Sequence, residues 1–396
     1  MDFALSEEHV ELQKWAREFA EKEIRPVAAH YDETEEFPLP VLAKAAEAGL
    51  YSLDIYFQAY QDPTGLTLPV LMEEIMWGCA GIGLTIFGTG LPLSALYASG
   101  SPEQLAEWAP RMFGTPEDPK VAAFAVTEPQ AGSDVRSLRT RARRDGDEWV
   151  LNGTKVFITN GRYADVYVVV ATVDHELGHR GQASFIVTRD DPGIRPGKKE
   201  KKLGIRASDT SEVILEDCRI PLDRVLGGMD KLEDKLERAR RGESTGRSSA
   251  ALRTFEMTRP LVAAQAVGIA RAALEFAVDY AKERKTFGVP IGQHQSIQNH
   301  LADMAMEVDA ARLLVHRAAW MGVNGQPFAK AEGSMSKLKA GEVAVRVTEL
   351  AVQILGGYGY VKDFPVEKWY RDAKIYTIFE GTSEIQRMVI ARALLS

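Results

Sequence analysis

The residues best placed to do chemistry together lie in the stretch Arg371-Asp-Ala-Lys-Ile-Tyr-Thr-Ile-Phe-Glu-Gly-Thr-Ser-Glu-Ile-Gln-Arg387. Glu380 stands between Phe379 and Gly381, just before a new helix that Thr382 or Ser383 can cap. Ile385, Met388, Val389 and Ala393 continue that helix at helical spacing. A carboxylate among apolar neighbours has its pKa raised and becomes a base working near neutral pH. The free N–H groups of the helix start attract anionic or phosphate-bearing ligands. The same residues also read as an ordinary acid near a helix start, stabilised by the helix dipole. The local pattern leaves both readings open.

Two other patterns can be weighed on their residues. His175-Glu176-Leu177-Gly178-His179 has the form of a zinc-protease motif, whose two histidines must share one helix face. Gly178 interrupts it, and it occupies a short link between two strand-like runs, so a solvated loop is expected and no metal site. A Gly-x-Gly-x-x-Gly fingerprint is missing, since the Gly81/Gly83, Gly88/Gly90 and Gly357/Gly359 pairs all lack the third glycine. Thr127 and Ser133 flank a glycine-containing turn after a strand, where hydroxyls and backbone N–H groups can meet polar ligand oxygens. Alternation in Phe157-Ile158-Thr159 puts Phe157 and Thr159 on one side of a strand.

Taken with Val126-Thr-Glu-Pro-Gln-Ala-Gly-Ser-Asp134, Phe157-Ile-Thr-Asn-Gly161, Thr258-Arg-Pro-Leu-Val-Ala-Ala264, Arg284-Lys-Thr-Phe-Gly288 and Gln353-Ile-Leu-Gly-Gly357, the C-terminal stretch resembles the acyl-CoA dehydrogenase family. These motifs follow family order over nearly the whole chain. The resemblance implies an α+β fold: an N-terminal helical domain, a central small antiparallel β-barrel or sheet domain, and a C-terminal four-helix bundle. It implies FAD, with Glu380 as the base that removes the α-proton while the β-hydrogen leaves as hydride to flavin N5. The cofactor residues it implies are Phe124, Val126, Thr127, Gly132, Ser133, Phe157 and Thr159. To these it adds Arg284, Thr286, Phe287, His294, Gln295, Gln353, Gly356, Gly357, Thr382 and Glu384. Arg284, Thr286, His294, Gln295, Gln353 and Gly357 match positions that reach an adenosine or pyrophosphate across a subunit interface. Ser133, Glu256, Arg259, Phe379 and Gly381 match substrate positions; Glu256 and Arg259 also read as a helix-start ion pair.

The implied reaction converts an acyl-CoA thioester to a trans-2-enoyl-CoA, as in fatty acid β-oxidation. An electron-transfer flavoprotein is the implied acceptor, and a homotetramer built as a dimer of dimers the implied assembly. An acyl-CoA oxidase using oxygen, and a catalytically silent flavin- or acyl-CoA-binding subunit of a mixed oligomer, are the alternatives. Some branches of the family carry the base on the helix beginning near Thr258. Threonine there, with Glu380 retained, assigns the base to Glu380.

The elements that must position these residues fall into three blocks. Residues 1–118 read as all-helical: a start at Ser6 with Leu12, Trp15, Ala16 and Phe19 on one stripe, then Leu39–Ala48, Leu68–Met76 and Leu84–Ala98. Ser101-Pro102-Glu103-Gln104 predicts a capping box. Residues 119–228 carry short β-rich runs, with Asp145-Gly146 as a hairpin turn and Gly193 to Lys202 as a basic solvated loop. Residues 229–396 read as helical again, with amphipathic stripes through Leu301, Met304, Val308 and Val315 and through Leu338, Val345, Val352 and Leu355, the latter stopped by Gly356-Gly357. Residues 230–252 read as an insertion, with a capping box at Asp230 leading a short amphipathic helix through Leu232, Leu236 and Ala239 that stops at Gly242; its role is either that of an inert surface loop or of an arginine-bearing border of the substrate entrance.

Bulk properties set outer limits. Among 396 residues the formal net charge is −8, against a nucleic-acid surface covering the protein. Two cysteines, Cys79 and Cys218, do not suggest a disulfide framework. The acidic N-terminus does not resemble a targeting peptide, and no run of about 20 apolar residues is evident. A cytoplasmic location and no membrane span are the expectation.

Overall fold

The computed structural model describes residues 4–243 and 250–395, with side chains at all of these except 250–257. The chain opens with helices α1 (Glu7–Phe19), α2 (Ala28–Thr34), α3 (Leu39–Glu47), α4 (Leu53–Gln61), α5 (Thr67–Gly78), α6 (Ala80–Phe87), α7 (Gly90–Ser99) and α8 (Pro102–Phe113). Ser6 caps α1 by accepting from the His9 N–H, and Ser101 with Gln104 forms the expected capping box of α8. Helix α4 was not anticipated. The expected single helix over Leu84–Ala98 is two helices, broken at Gly88-Thr89. The Thr89 hydroxyl is held by the Tyr51 hydroxyl at 2.9 Å and accepts the Ala122 N–H at 3.1 Å. Gly90 then lies against Tyr56, where a Cβ would come within 2.4 Å of the Tyr56 hydroxyl oxygen.

The middle block is one seven-stranded sheet: β1 (Ala122–Ala125), β2 (Arg141–Asp145), β3 (Glu148–Thr159), β4 (Val166–Thr172), β5 (Gln182–Thr188), β6 (Ile194–Lys199) and β7 (Thr210–Pro221). It is mixed rather than purely antiparallel. β1 runs parallel to β4, and β2 meets β4 in parallel at Arg141 and Thr172. A parallel pair needs a long crossover, and the β2–β3 hairpin lies within that connection; it turns at Gly146-Asp147, one residue later than the expected Asp145-Gly146, because Asp145 still pairs with Glu148. The basic loop expected over Gly193–Lys202 is in fact edge strand β6, paired with β7 and shifted in register between Pro196 and Lys199. Proline is tolerated there because an edge strand need not donate on both sides.

Strands β1 and β4 are buried throughout. Ala122, Phe124, Val166, Val168 and Val170 join the large core shared with the helices. Their alternates Ala123, Ala125, Tyr167, Val169 and Ala171 join a second core on the other face. Helix α9 (Met229–Arg240) closes that second core with Leu232 and Leu236. Its packing puts it with the sheet, although the sequence reading starts the bundle at 229. The inert-loop reading therefore fails for residues 229–240: two leucines four residues apart give the helix a face to bury. The predicted Asp230 capping box is not formed, as Gly228 holds the N-cap position without a side chain.

The last block comprises α10 (Ala250–Glu283), a two-residue β-ribbon of β8 (Lys285–Thr286) and β9 (Val289–Pro290), α11 (Gln295–Val323), α12 (Glu332–Leu355), α13 (Val366–Ala373) and α14 (Ser383–Leu395). Helices α10, α11, α12 and α14 pack as the bundle, and α10 also lies along α5. α12 buries Ala340, Gly341, Ala344 and Ala351, small residues that let neighbouring backbone approach closely. Two stretches, Ala80–Ser99 and Thr258–Glu283, are apolar and long enough to cross a membrane, contrary to the sequence expectation. Both are mostly buried against protein, as core helices are.

Candidate active site

Glu380 sits on a tight turn between a 3₁₀ segment (Lys374–Thr377) and α14. Its φ is +50° and that of Gly381 is +93°. A non-glycine residue in this region is uncommon and must be held by its surroundings. Three side chains hold this one. Gln386 on α14 donates to the carbonyls of Glu380 (3.3 Å) and Gly381 (3.0 Å). Lys337 on α12 donates to the Gly381 carbonyl at 2.7 Å. The Thr258 hydroxyl on α10 donates to the Glu380 carboxylate at 2.8 Å. Burial raises the Glu380 pKa, opposed by the Thr258 hydrogen bond and by the charges of Lys337 and Arg259. Among the described residues nothing accepts from the Glu380 backbone N–H.

The carboxylate faces a cleft of about 160 Å³ between the helical block, the sheet and α10. Helices α4 to α7 contribute Tyr56, Met72, Leu84, Phe87 and Leu91, and α10 contributes Thr258, Leu261, Val262 and Gln265. The sheet contributes Phe124, Val126, Thr127, Phe157, Ile158 and Thr159; Phe379 completes the wall beside Glu380. Phe157 and Thr159 thus share the cleft, but not through plain alternation. The β3–β7 register shifts between Lys155 and Ile158, Phe157 has φ +58°, and its ring is left 64% exposed. A bulge of this kind re-aims a side chain.

A buried ion pair fixes this wall. The Lys155 ammonium donates to the Val126 carbonyl at 2.9 Å and to Glu128 at 2.8 Å. Glu128 also accepts from the backbone N–H of Arg139 and Thr140 and from the Gln130 side chain. Despite burial, the Lys155 charge and these donors pull Glu128 down to about 2, while burial pushes Lys155 down to about 8. The Thr127–Ala131 segment is therefore a clamped turn. Gly132 and Ser133 lie exposed beyond it and do not line the cleft.

A second group of expected residues gathers elsewhere. Arg284, Thr286, Gly356 and Gly357 line a groove with Tyr280, Ile291 and Tyr358. His294 joins it through a 2.9 Å hydrogen bond with Thr286, and Phe287 packs edge-on to His294 while remaining 96% exposed. Gln295 and Gln353 are exposed nearby in sequence but do not line the groove. Thr258 and Tyr280 are 22 residues apart on α10, so the groove and the Glu380 cleft are separated by about 33 Å at a helical rise of 1.5 Å per residue.

The remaining expected residues have other places. Thr382 caps α14 by accepting the Ile385 N–H at 3.3 Å, and Glu384 is exposed in its first turn. Arg259 is buried and donates to Ser334, without lining the cleft. The Glu256 side chain and Arg247 lie outside the described residues. Arg238, Arg240 and Arg241 pair with Asp234, Asp174 and Glu243, so their charge is largely spent within the fold. His175 accepts from Arg141 and His179 lies in a one-turn 3₁₀ segment (Gly178–Gly181), so the two histidines do not share a helix face.

Lys337, Gln386, Lys155 and Gln265 escaped the sequence reading. A lysine on the small-residue face of α12 was the available signal for Lys337.

A carboxylate of raised pKa, a free amide beside it, an apolar cleft and an exposed aromatic wall together define a site for removing a proton from a largely apolar substrate. Family models for the N-terminal, middle and C-terminal domains of acyl-CoA dehydrogenases match residues 6–115, 123–218 and 248–395. The chain belongs to the acyl-CoA dehydrogenase family, an oxidoreductase family of flavoproteins. Short-chain specific acyl-CoA dehydrogenase of Bos taurus mitochondria is 44% identical over 99% of this chain and 91% of its own. The butyryl-CoA dehydrogenase structure of Megasphaera elsdenii is 37% identical over 100% of both chains, with TM-score 0.89. A chain from a structure described as the electron transferring flavoprotein of Acidaminococcus fermentans is 38% identical over 100% of both, also with TM-score 0.89.

Proposed function

We propose that this enzyme binds FAD and converts a short acyl-CoA to its trans-2-enoyl-CoA, with Glu380 as the base. The observation that carries the reading is Glu380 itself: a carboxylate of raised pKa on a braced turn, facing an apolar cleft. In this reading Glu380 takes the α-proton, and its own backbone N–H polarises the thioester carbonyl as negative charge develops there. The Thr258 hydrogen bond aims the carboxylate. Apolar side chains from α5, α6 and α7 exclude water around the acyl chain, which keeps the carboxylate basic. The small volume of the cleft, together with the named specificity of the bovine relative and the butyryl-CoA enzyme, favours a short chain.

The sheet wall fits a flavin. Phe157 offers an exposed aromatic face, Thr127 and Thr159 offer hydroxyls, and Phe124 and Val126 supply an apolar floor, which suits a planar ring with one polar edge. When bound, FAD supplies the acceptor for the β-hydrogen. Arg284, Thr286, Gly356 and Gly357, about 33 Å away along α10, are assigned to the adenosine end of a neighbouring subunit's FAD, which requires a homo-oligomer. An electron-transfer flavoprotein is the proposed acceptor, supported by the likeness to a chain from a structure described by the name of such a protein.

Glu380→Gln tests the base. It retains the size of the side chain and should leave FAD content and acyl-CoA binding unchanged. Anaerobic flavin bleaching by butyryl-CoA should fall at least 10²–10⁴-fold, the usual span of general-base catalysis. Rapid bleaching by the variant removes Glu380 from the role. Turnover with a dye under nitrogen, compared with peroxide release in air, separates a dehydrogenase from an oxidase; bleaching by no acyl-CoA would favour a silent subunit.

A further inference from the structure

The left-handed backbone of Glu380 is braced by its neighbours, and one of the groups that brace it carries a charge. Lys337 is 1% exposed, on the face of α12 turned toward the Glu380 turn. Four residues on, Gly341 lies against the Tyr376 carbonyl, where a Cβ would come within 2.4 Å of the oxygen. One face of α12 therefore supports both ends of the segment 376–381: Gly341 lets it approach, and Lys337 grips its last carbonyl. Gln386 holds the same carbonyl from the other side, on α14.

We propose that Lys337 is a positioning residue for Glu380: its buried ammonium fixes the Gly381 carbonyl, and hence the left-handed turn, and sets a positive charge beside the Glu380 carboxylate. This rests on the reading of Glu380 as the base.

The reasoning is electrostatic and geometric. A lysine fully enclosed by protein pays heavily for desolvation and is retained only where its charge has a use or a partner. Burial lowers Lys337 to about 8, opposed by the charge of Glu380 and, less strongly, of Glu384, with Arg259 acting in the same direction as burial. The same coupling, seen from the other side, lowers Glu380. Among the described residues, the charged, titratable and hydrogen-bonding groups coupled to Glu380 are Thr258 and Arg259 on α10, Lys337 on α12 and Tyr376 in the 3₁₀ segment before the turn. Arg259 donates to Ser334, and Lys337 both acts on the carboxylate electrostatically and bonds its turn directly. Gln386 supplies a bond to the same turn and no charge, so the two contributions can be separated.

The experiment measures anaerobic flavin reduction by butyryl-CoA from pH 6 to 9 in the holoenzyme, for Lys337→Met, Lys337→Gln and Gln386→Leu, each with and without Glu380→Gln. Lys337→Met should move the acid limb of the rate up by about 1 pH unit, the low end for losing an opposite charge nearby, and lower the plateau about 10-fold or more. Lys337→Gln can still donate to the Gly381 carbonyl, so it should move the limb while sparing more of the plateau. Gln386→Leu should lower the plateau without moving the limb. In the Glu380→Gln background the Lys337 changes should cost little further, since groups acting through one residue are not additive. An unmoved limb in both Lys337 variants, with losses that follow FAD content or thermal stability, overturns the proposal and leaves a structural lysine. Rapid reduction by Glu380→Gln alone overturns the base assignment instead, whatever the Lys337 variants do.

Discussion

Thr258→Val removes one hydroxyl and almost nothing else. The two side chains are nearly isosteric, residue 258 is 5% exposed, and its hydroxyl lies 2.8 Å from the Glu380 carboxylate. A hydrogen bond to a charged group is worth roughly 1.5–3 kcal/mol, and about 1.36 kcal/mol corresponds to one pKa unit. Losing it should raise the Glu380 pKa by roughly 1–2 units above a value that burial has already lifted. The sign is definite: the hydrogen bond favours the ionised form, so its loss moves the acid limb of flavin reduction to higher pH. Below the new limb the rate should fall about 10–100-fold, the same shift expressed as ionised fraction. Above it the base is fully ionised and somewhat stronger, so the plateau should be close to wild type. Stopped-flow bleaching with butyryl-CoA under nitrogen, across pH 6 to 9, reads both regions at once. A uniform loss at every pH, with the limb unmoved, would refute the reasoning and leave Thr258 a packing residue. Restoration of activity in Glu380→Gln by Thr258→Glu would further show that residue 258 faces the reacting carbon.

Arg284→Ala should weaken FAD retention and assembly together, read by flavin absorbance across a sizing column; a monomer with full FAD would contradict the shared site. Leu236→Ala on α9 should cost about 2–5 kcal/mol of stability, as buried leucines do, measured by urea unfolding, while leaving KM for butyryl-CoA unchanged; a KM effect without destabilisation would return α9 to the substrate entrance. Between pH 8 and about 9.5 the wild type should gain stability, because Lys155 and Lys202 have folded pKa values near 8 while the unfolded chain still holds those protons. A fall over that window in the urea midpoint would count against the buried lysines. At the acid end, Glu128, held near 2, should contribute stability that is lost as pH drops from about 4.5 toward 2.

The three-block architecture was legible because helices and strands differ in hydrophobic period; the motifs around Thr127, Phe157, Thr258 and Glu380 fall where the cleft is built, and those around Arg284 and Gly357 fall at the separate groove. Glu380 stood out locally because it precedes a glycine and a cappable helix start, while its reading as a base came from the family resemblance, the local pattern fitting an ordinary acid at a helix start equally well. Other features were hidden by physics that no local pattern carries. The break between α6 and α7 depends on Thr89 being drawn to Tyr51 and Ala122, residues far away in sequence. The parallel pairing of β1 with β4 depends on a crossover, and strand pairing is not encoded in the period-two pattern. Residues 194–199 looked like a basic loop because an edge strand shows water the same lysines and prolines that a loop does. On α12 the stripe through Leu338, Val345 and Val352 proved to be the flank. The buried face mixes Val343, Val347, Leu350, Ile354 and the expected Leu355 with alanine, glycine, serine and Lys337, and the small and polar members blur its hydrophobic pattern.

Strands β1 and β4 bury side chains on both faces, and this bears on how the sheet finds its alignment. Where one face of a strand is wet, a slip by one residue throws the apolar set into water, and that penalty fixes the register. Here a slip would exchange Val166, Val168 and Val170 for Tyr167, Val169 and Ala171, one apolar row for another. Hydrophobic patterning alone barely distinguishes the two alignments. The discrimination falls to polar groups that have only one place to go. The Lys155 ammonium must reach the Val126 carbonyl and Glu128, and Glu128 must reach the backbone of Arg139 and Thr140. A misaligned sheet would strand these groups in a dry interior, at several kcal/mol by the usual cost of unpaired buried charge. This ion pair therefore serves as an alignment key for the wall on which Thr127, Phe157 and Thr159 are displayed. Its removal is expected to scatter those three residues before it unfolds the chain.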